Sequence, residues 1–248
     1  MLREERLQYI LNEVELHNKV LLSDLSESLE VSIDTVRRDV KELHKTKKLK
    51  KVHGGAISLG FGGSARTNTY IYAIEKKNTI ACKAIGMLKN GDAILIHGGT
   101  TCAELARMLP AKLNLTCFTL SLPVATELAK KNNVKVIFIG GILSHDSQVT
   151  FGGKAVHELS QIKVDYSFIG SGYINIPNGL SGSDWESEQV KKAIIHASKK
   201  VILLTISEKL NTHQRYKTCD LGTIHTMITE LNPSEEKLNE YRQHLNIL

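Results

Sequence analysis

Long apolar runs are missing from this sequence. No stretch approaches the roughly 18 consecutive apolar residues of a membrane-spanning helix, so we expect no membrane partner. The first residues, MLREERLQYIL, alternate charges where a secretory signal would place an apolar block, so no such signal is predicted. With 42% hydrophobic and 23% charged residues, the composition is that of an ordinary globular protein. We expect the protein to be cytoplasmic.

Cysteine is scarce and scattered. Cys82, Cys102, Cys117 and Cys219 show no CxxC spacing and no matching set of histidines, so no metal site is predicted. Free cysteine behaves as a small hydrophobic residue, and we expect all four to stay reduced. We also predict no cofactor.

The net charge of +6 is concentrated in one short segment. Residues 37–51 contain eight basic and two acidic residues, and the rest of the chain has equal numbers of each. A concentrated basic stripe is typical of a protein that binds a polyanion, although a charge run can also be a solvated face. The eight basic residues are Arg37, Arg38, Lys41, Lys45, Lys47, Lys48, Lys50 and Lys51.

The first 56 residues contain three helix-like patterns. In the first, apolar residues recur at i, i+3, i+4 and i+7. The second is a short helix expected to begin at Ser23, and the third is capped by Ser32. Two short helices joined by a tight turn, with basic residues outward on the second, predict a helix-turn-helix. The apolar positions are Leu7, Ile10, Leu11 and Val14, then Leu22, Leu25 and Leu29, then Ile33, Val36, Val40 and Leu43.

The outward face of the third helix is predicted to bind DNA. Its N-terminal end would enter the major groove, where its arginines could read guanine or grip phosphate. The segment LKKVHGGAISL then predicts a hairpin wing beside the DNA backbone, on which His53 is a wing residue rather than a metal ligand. The predicted DNA-binding residues are Ser32, Asp34, Thr35, Arg37, Arg38, Lys41, Lys48, Lys50, Lys51 and His53.

Composition divides the chain into a DNA-binding domain, 1–57, a linker, 58–72, and a second domain, 73–248. The linker contains the stretch GFGGSARTNT, which has almost no apolar periodicity. In the second domain, strands alternate with helix-length segments, which predicts a mostly parallel sheet with its ligand crevice at the carboxyl ends of the strands. The predicted strands are 93–97, 115–119, 134–139, 165–169, 201–206 and 224–229, and the predicted helices are 77–88, 102–109, 124–131, 154–162, 185–198 and 234–246.

Glycine and hydroxyl residues collect at the predicted strand ends. They occur at 98–101, at Thr119, and in the glycine loops at 140–141, 152–153 and 170–172. One glycine loop is weak evidence, but five such positions, four with glycine and one with Thr119, at one end of a sheet favour a site for an anionic, hydroxylated ligand. Lys209, after a later strand, could meet a phosphate or could be a solvated loop lysine.

These motifs resemble those of the DeoR-type bacterial transcriptional regulators. VSIDTVRRDVKEL and LKKVHGGA match the family's N-terminal signature, and the resemblance continues through EKKNTIACKAIGMLKNGDAILIHGGTT, Gly140-Gly141, Phe151-Gly152, DYSFIGSG and Lys209. The resemblance implies an N-terminal winged helix-turn-helix joined to a C-terminal α/β sensor domain related in fold to ribose-5-phosphate isomerase. It also implies that the protein represses an operon for sugar or nucleoside use and that a phosphorylated sugar relieves this repression.

The same resemblance implies an effector site. The phosphate cradle would lie on Gly99, Thr100 and Thr101, with Lys209 as the supporting charge. The full set of implied effector-binding residues is His97, Gly98, Gly99, Thr100, Thr101, Thr119, Gly140, Gly141, Gly152 and Lys209.

Four positions depart from the family pattern. His97 and Ile206 stand where the family usually has aspartates, Leu120 replaces an asparagine and Tyr173 replaces a glycine. The phosphate half of the site is kept, whereas groups that could bind sugar hydroxyls are lost. Two alternatives follow. The effector is a different phosphate, for which a partly cationic His97 serves as a donor near neutral pH. Alternatively, the pocket has lost its ligand and the protein binds DNA constitutively.

The competing class is an isomerase-like enzyme that acts on a sugar phosphate. A catalytic His97 would need a positioned acid or base partner, and the loops offer none, so no catalytic residue is predicted. One small winged domain buries too little surface for specific binding, so at least two are needed on one target. We therefore predict a homo-oligomer, a dimer or tetramer, that binds operator DNA and a phosphorylated sugar.

Overall fold

A computed structural model describes residues 1–60 and 71–248 of the chain. It separates into two compact units, Met1–Tyr72 and Ala73–Leu248. Most of the predicted linker lies outside the described residues. Each unit is described below by itself.

The first unit contains three helices and a small antiparallel sheet of order β1-β3-β2. The helices bury the apolar faces that their periodicity predicts, with Ile10, Val14 and Val36 fully enclosed. The strand β1 was not foreseen; it is three residues long and pairs with the hairpin. The elements are α1 (Arg3–His17), β1 (Lys19–Leu21), α2 (Leu22–Leu29), α3 (Ile33–Lys45), β2 (Lys50–Val52) and β3 (Gly55–Ile57).

Two details of this unit differ from the sequence predictions. The helix α2 begins at Leu22, so Ser23 lies inside its first turn, where its hydroxyl bonds Asp24 rather than capping the helix. Strand β1 runs directly into α2, which leaves no separate capping residue. Ile33, expected on the buried face of α3, is 42% exposed because it lies in the first turn, beyond the edge of the packed core.

The second unit is built on a seven-stranded parallel sheet of order β15-β14-β12-β9-β4-β5-β6. Its strands are β4 (Ala93–Ile96), β5 (Leu115–Thr119), β6 (Val134–Phe138), β9 (Val164–Gly170), β12 (Ser198–Leu204), β14 (Thr226–Ile228) and β15 (Asn246–Ile247). The helices are α4 (Ile74–Ile85), α5 (Thr100–Met108), α6 (Leu122–Leu128), α7 (Gly153–Ser160) and α8 (Trp185–His196).

The strand order reverses between β4 and β9. From β4 the chain adds strands on one side, through β5 to β6, and then returns to add β9, β12, β14 and β15 on the other side. A crevice at the carboxyl ends of the strands on either side of such a reversal is the usual ligand site of an open parallel sheet. Here the loops that follow β4 and β9 meet at that point.

Shorter strands complete the second unit. A hairpin of β7 (Ile142–Leu143) and β8 (Thr150–Phe151) follows β6, and an antiparallel sheet joins β10 (Tyr173–Asn175), β11 (Gly179–Gly182) and β13 (Tyr216–Cys219). Neither was predicted, because strands of two to four residues carry too little alternation to be recognised.

The predicted closing helix, 234–246, is wrong. The segment instead forms two single 3₁₀ turns, Glu236–Leu238 and Tyr241–Gln243, and then β15. Apolar residues recur there at three- and four-residue intervals, and the buried Leu238 and Tyr241 satisfy that spacing from two short turns. Pairing of β15 with β14 fixes the extended end of the chain.

Candidate functional site

The predicted reading helix α3 begins where its cap was expected. The Ser32 hydroxyl accepts a hydrogen bond from the Thr35 amide at 3.2 Å and lies 2.9 Å from the Thr35 hydroxyl. Arg37 forms an ion pair with Asp34 one turn away, and both side chains are more than half exposed. Arg38 and Lys41 are exposed as well, and Thr35 is partly buried.

A buried ion pair fixes the orientation of α3. Asp39 is only 3% exposed, and Arg6 of α1 donates to it twice, from Nε at 2.5 Å and from its terminal nitrogen at 3.3 Å. This hydrogen bond, more than any other influence, raises the pKa of Arg6. Sequence reasoning counted Asp39 only as an acidic residue within a basic stripe and did not recognise this role. The pair holds the exposed face of α3 at a set angle to α1.

The basic stripe continues onto the predicted wing. Strands β2 and β3 form the hairpin, and Lys48, Lys50, Lys51 and His53 are all exposed. Gly55 is required because a β-carbon there would lie 2.3 Å from the carbonyl oxygen of Val20 on the adjoining β1. The exposed Ile33 is the first residue of α3. It is a DNA-contact candidate that sequence reasoning had assigned to the core.

In the second unit, the predicted effector residues lie around the carboxyl ends of the strands. The loops after β4 and β9 are adjacent, since a β-carbon on Gly170 would lie 3.8 Å from the Gly98 carbonyl oxygen. The loops around Gly141 and Gly152 also meet, since a β-carbon on Gly141 would lie 2.6 Å from the Phe151 carbonyl oxygen. Gly140, beside Gly141, follows β6, and Gly152 directly precedes α7.

Thr119 serves the backbone. Its hydroxyl donates to the Ile96 carbonyl at 2.7 Å and accepts from the Ser121 amide, and the residue is completely buried. It therefore joins the ends of β4 and β5. The substituted positions Leu120 and Ile206 are also buried, as is Tyr173.

The start of α5 carries the features of a phosphate site. Gly99 caps the helix with φ of 110°, a conformation that side chains disfavour, and the first helical hydrogen bond runs from the Ala103 amide to the Gly99 carbonyl at 3.0 Å. The amides of Thr100, Thr101 and Cys102 precede that bond. Amides of a first helical turn have no partner within the helix and form the positive end of its dipole, so they favour the binding of an anion.

His97 is neutral near neutral pH, which corrects the expectation of a partly cationic side chain. It is 8% exposed, and burial, together with the nearby charge of Lys191, lowers its pKa to about 3. Its Nδ1 atom is buried without a hydrogen-bond partner among the residues that the structure describes. The ring is therefore a neutral hydrogen-bonding group at the reversal point of the sheet.

Lys209 is buried, so the alternative of a solvated loop lysine is wrong. It is 8% exposed, and its Nζ atom donates to the Ser171 carbonyl oxygen at 2.9 Å. Burial first, and then the charges of Lys77 and Lys191, lower its pKa to about 7. The ammonium group thus lies at the loop that follows β9.

Two buried lysines near this loop were missed from the sequence. Lys77 of α4 is 4% exposed and Lys191 of α8 is 7% exposed. Lys191 donates to Glu188 at 2.8 Å, and Glu188 also accepts from the Thr218 hydroxyl. Both lysines share the helical spacing of the buried residues on their helices, and this spacing is a signal that could have identified them. Such a position is notable for lysine, which is almost never fully buried without a partner.

Two features are absent from residues 1–60 and 71–248. None of their helices is long and apolar enough to cross a membrane. No group of three or more histidine, cysteine, aspartate or glutamate residues among them could hold a metal ion.

Two family models match the chain. A DeoR-like helix-turn-helix domain matches residues 6–60, and a DeoR C-terminal sensor domain matches residues 72–231. Together they cover both units.

Three curated relatives align over nearly the whole chain. An uncharacterized HTH-type transcriptional regulator of Bacillus subtilis, YulB, is 33% identical over 97% of this chain and 94% of its own length. The transcriptional repressor GlcR of the same organism is 29% identical, covering 95% and 91%. The lactose phosphotransferase system repressor of Staphylococcus epidermidis is 29% identical, covering 96% of each chain. These relatives are regulators.

Among solved structures, a ribose 5-phosphate isomerase A of Methanocaldococcus jannaschii shares 18% identity, with a TM-score of 0.40 over 55% of this chain and 54% of that one. The eIF2B beta subunit of Chaetomium thermophilum shares 16% identity, with a TM-score of 0.49 over 69% and 54%. This chain thus spans just over half of each solved structure. At these TM-scores the likenesses say nothing about ligand or activity.

Proposed function

The chain belongs to the DeoR family of helix-turn-helix transcriptional regulators, and we propose that it represses a carbohydrate-utilisation operon and is released by a phosphorylated sugar. Two of its relatives, GlcR and the lactose phosphotransferase system repressor, are named as repressors, which supports this direction of regulation.

The observation that carries the DNA-binding half is the exposed basic face of α3. Ser32 caps the helix and Asp39 is tied to Arg6, so α3 is held by both its first turn and its buried side. The face left outward contains Arg37, Arg38 and Lys41. A helix presented in this way inserts its N-terminal end into the major groove, and the lysines of the wing neutralise phosphates.

The effector half rests on the first turn of α5. The amides of Thr100 and Thr101 bind the phosphate of the sugar, and Lys209 supplies a nearby positive charge. Two DNA-binding units are needed on one operator for adequate specificity, so the protein acts as a dimer or tetramer. The effector releases DNA by binding one arrangement of the assembled protein more tightly than the other.

DNA binding is tested with the full chain on DNA from upstream of its own gene. Arg37→Ala should weaken specific binding by about 1–3 kcal/mol if the arginine reads a base. Its ion pair with Asp34 offsets little of this, because exposed pairs contribute little. Lys48→Gln should weaken binding to all sequences evenly and reduce the salt dependence by about one charge.

The matched control is Lys237→Gln, which removes an exposed lysine from the second unit. It should leave operator affinity unchanged. If Arg37→Ala and Lys237→Gln bind the operator equally well, α3 is not the reading helix.

A further inference from the structure

Ile33 is a large apolar side chain on the exposed part of the proposed reading helix. It is the first residue of α3 and is 42% exposed. Single exposed apolar residues are common on protein surfaces, so the exposure alone indicates no function. What distinguishes Ile33 is its place in the first turn of α3, beside the basic face of this helix.

The other residues of this turn are engaged with one another. The Ser32 hydroxyl accepts from the Thr35 amide at 3.2 Å and lies 2.9 Å from the Thr35 hydroxyl. Asp34 forms an ion pair with Arg37, and both side chains remain more than half exposed. Ile33 has no polar group that could join these interactions, so its side chain is the apolar part of the surface that this turn presents.

Helical geometry places Ile33 between the buried stripe and the basic face. Successive residues of an α-helix are about 100° apart around its axis, so Ile33 lies about 40° from Arg37 on one side and about 60° from the buried Val36 on the other. Asp34 lies beyond Arg37 on the basic side, so their ion pair directs the guanidinium group away from Ile33. The apolar side chain is therefore left open next to the positive charge.

The methyl group of thymine is the apolar group that the major groove offers to such a side chain. Each base pair presents its own donors and acceptors in that groove, and thymine adds the methyl group. The surroundings of Ile33 favour DNA as the partner, because the residues that follow on the same helix include the exposed Arg37, Arg38 and Lys41. These charges match the phosphates of DNA, whereas an apolar protein surface would take them out of water at a cost.

We propose that Ile33 contacts the methyl group of a thymine in each half of the operator and contributes to the choice of that base. This inference rests on the proposed DNA-binding function. When α3 enters the major groove by its N-terminal end, its first turn meets the base edges. The side chain of Ile33 then covers the methyl group, and the contact removes apolar surface of both from water.

The test replaces thymine by uracil in the DNA, because deoxyuridine pairs as thymidine does but lacks the methyl group. The site that the protein protects in DNA from upstream of its own gene is prepared as a set of duplexes, each with one thymine replaced. Binding of the full chain is measured by gel shift at fixed salt. Replacement of the contacted thymine should weaken binding by the parent about fourfold, the ratio that the loss of one buried methyl group gives.

Ile33→Ala removes the apolar side chain and leaves the serine cap, the basic face and the wing in place. It should bind the unmodified duplex at least about fourfold more weakly than the parent, and replacement of the same thymine should no longer change its affinity. Ile33→Val, which keeps a branched side chain, should retain most of the sensitivity to uracil. Thermal unfolding checks that both variants fold as the parent does.

Leu122→Ala is the matched control. Leu122 is the first residue of α6, follows a serine cap as Ile33 does, and is 38% exposed. The variant therefore removes a similar apolar surface from the same position of a helix outside the DNA-binding unit. Its affinity for the unmodified duplex and its response to uracil should equal those of the parent.

Two results would overturn the inference and leave the DNA-binding function in place. If the parent binds specifically but no replaced thymine weakens its binding, Ile33 contacts no methyl group. If uracil weakens binding by Ile33→Ala as much as by the parent, another side chain contacts that methyl group. If the parent prefers neither the upstream DNA nor any duplex selected from a random pool, the proposed function fails together with the inference.

Discussion

Arg6→Met should destabilise the first unit by about 3 kcal/mol. The change leaves Asp39, which is 3% exposed, without the two hydrogen bonds at 2.5 and 3.3 Å that now satisfy it. Removing one partner of a buried ion pair costs roughly 3–5 kcal/mol, and the 13% exposure of the Arg6 side chain favours the lower end of that range.

Hydrogen exchange of the α3 amides in the full chain reports this change locally. A loss of about 3 kcal/mol corresponds to protection reduced by roughly a hundredfold. The matched control is Arg3→Met, whose ion pair with Glu42 joins side chains that are 63% and 41% exposed. Because exposed pairs contribute little, this variant should lose less than about 1 kcal/mol.

The double variant Arg6→Met/Asp39→Leu separates the charge from the packing. Replacing a whole buried pair by apolar residues is often neutral, so most of the lost protection should return. If Arg6→Met exchanges like Arg3→Met, or if the double variant is no more protected than Arg6→Met, the reasoning about the buried charge is refuted.

Two further predictions concern the cap of α3 and the charge of Lys209. Ser32→Ala removes the acceptor for the Thr35 amide and should lower the free energy of unfolding of the first unit by about 1 kcal/mol, measured by urea denaturation, whereas Ser23→Ala, which removes no cap, should have a smaller effect. Lys209 has a pKa of about 7 in the free protein, so it loses charge as the pH rises above 7, and a bound phosphate should raise that pKa. Binding of glucose 6-phosphate at pH 8 should therefore take up protons, detected by calorimetry in buffers of different ionisation enthalpy, and Lys209→Met should abolish the uptake. Proton uptake unchanged in that variant would show that another group titrates.

The lowered pKa of Lys209 also makes the free energy of unfolding depend on pH when no ligand is bound. Between pH 7 and the ordinary lysine value of 10.5, the unfolded chain binds more protons than the folded one. The free energy of unfolding therefore rises with pH across this window as far as this group is concerned.

The main elements of both units could be predicted from the sequence because each leaves a periodic signal. The apolar spacing of α3 and the alternation of strands with helices are visible in single segments. The cap at Ser32 was also predictable, since it depends on residues three positions apart. The short β1 and the 3₁₀ turns near Tyr241 were not, because they are set by packing against distant parts of the chain.

The site was less accessible to sequence reasoning for a similar reason. A charged residue looks the same in sequence whether it is solvated or buried. Asp39 was missed because its burial depends on a contact with a separate helix. Lys77 and Lys191 share the helical spacing of buried residues, but a lysine at such a position was not considered as a buried one. His97 was predicted as the last residue of the strand 93–97 and lies one residue beyond β4, but its neutral state follows from burial and from Lys191, nearly a hundred residues away in the chain.

The most direct test of the account is operator binding by the purified full chain at fixed salt, with and without a panel of sugar phosphates. We predict specific binding to DNA from upstream of its own gene, and release by at least one phosphorylated compound but not by the corresponding unphosphorylated sugar. Specific binding that no member of the panel weakens would contradict the proposed sensor, and absence of specific binding would contradict the assignment of α3 as the reading helix.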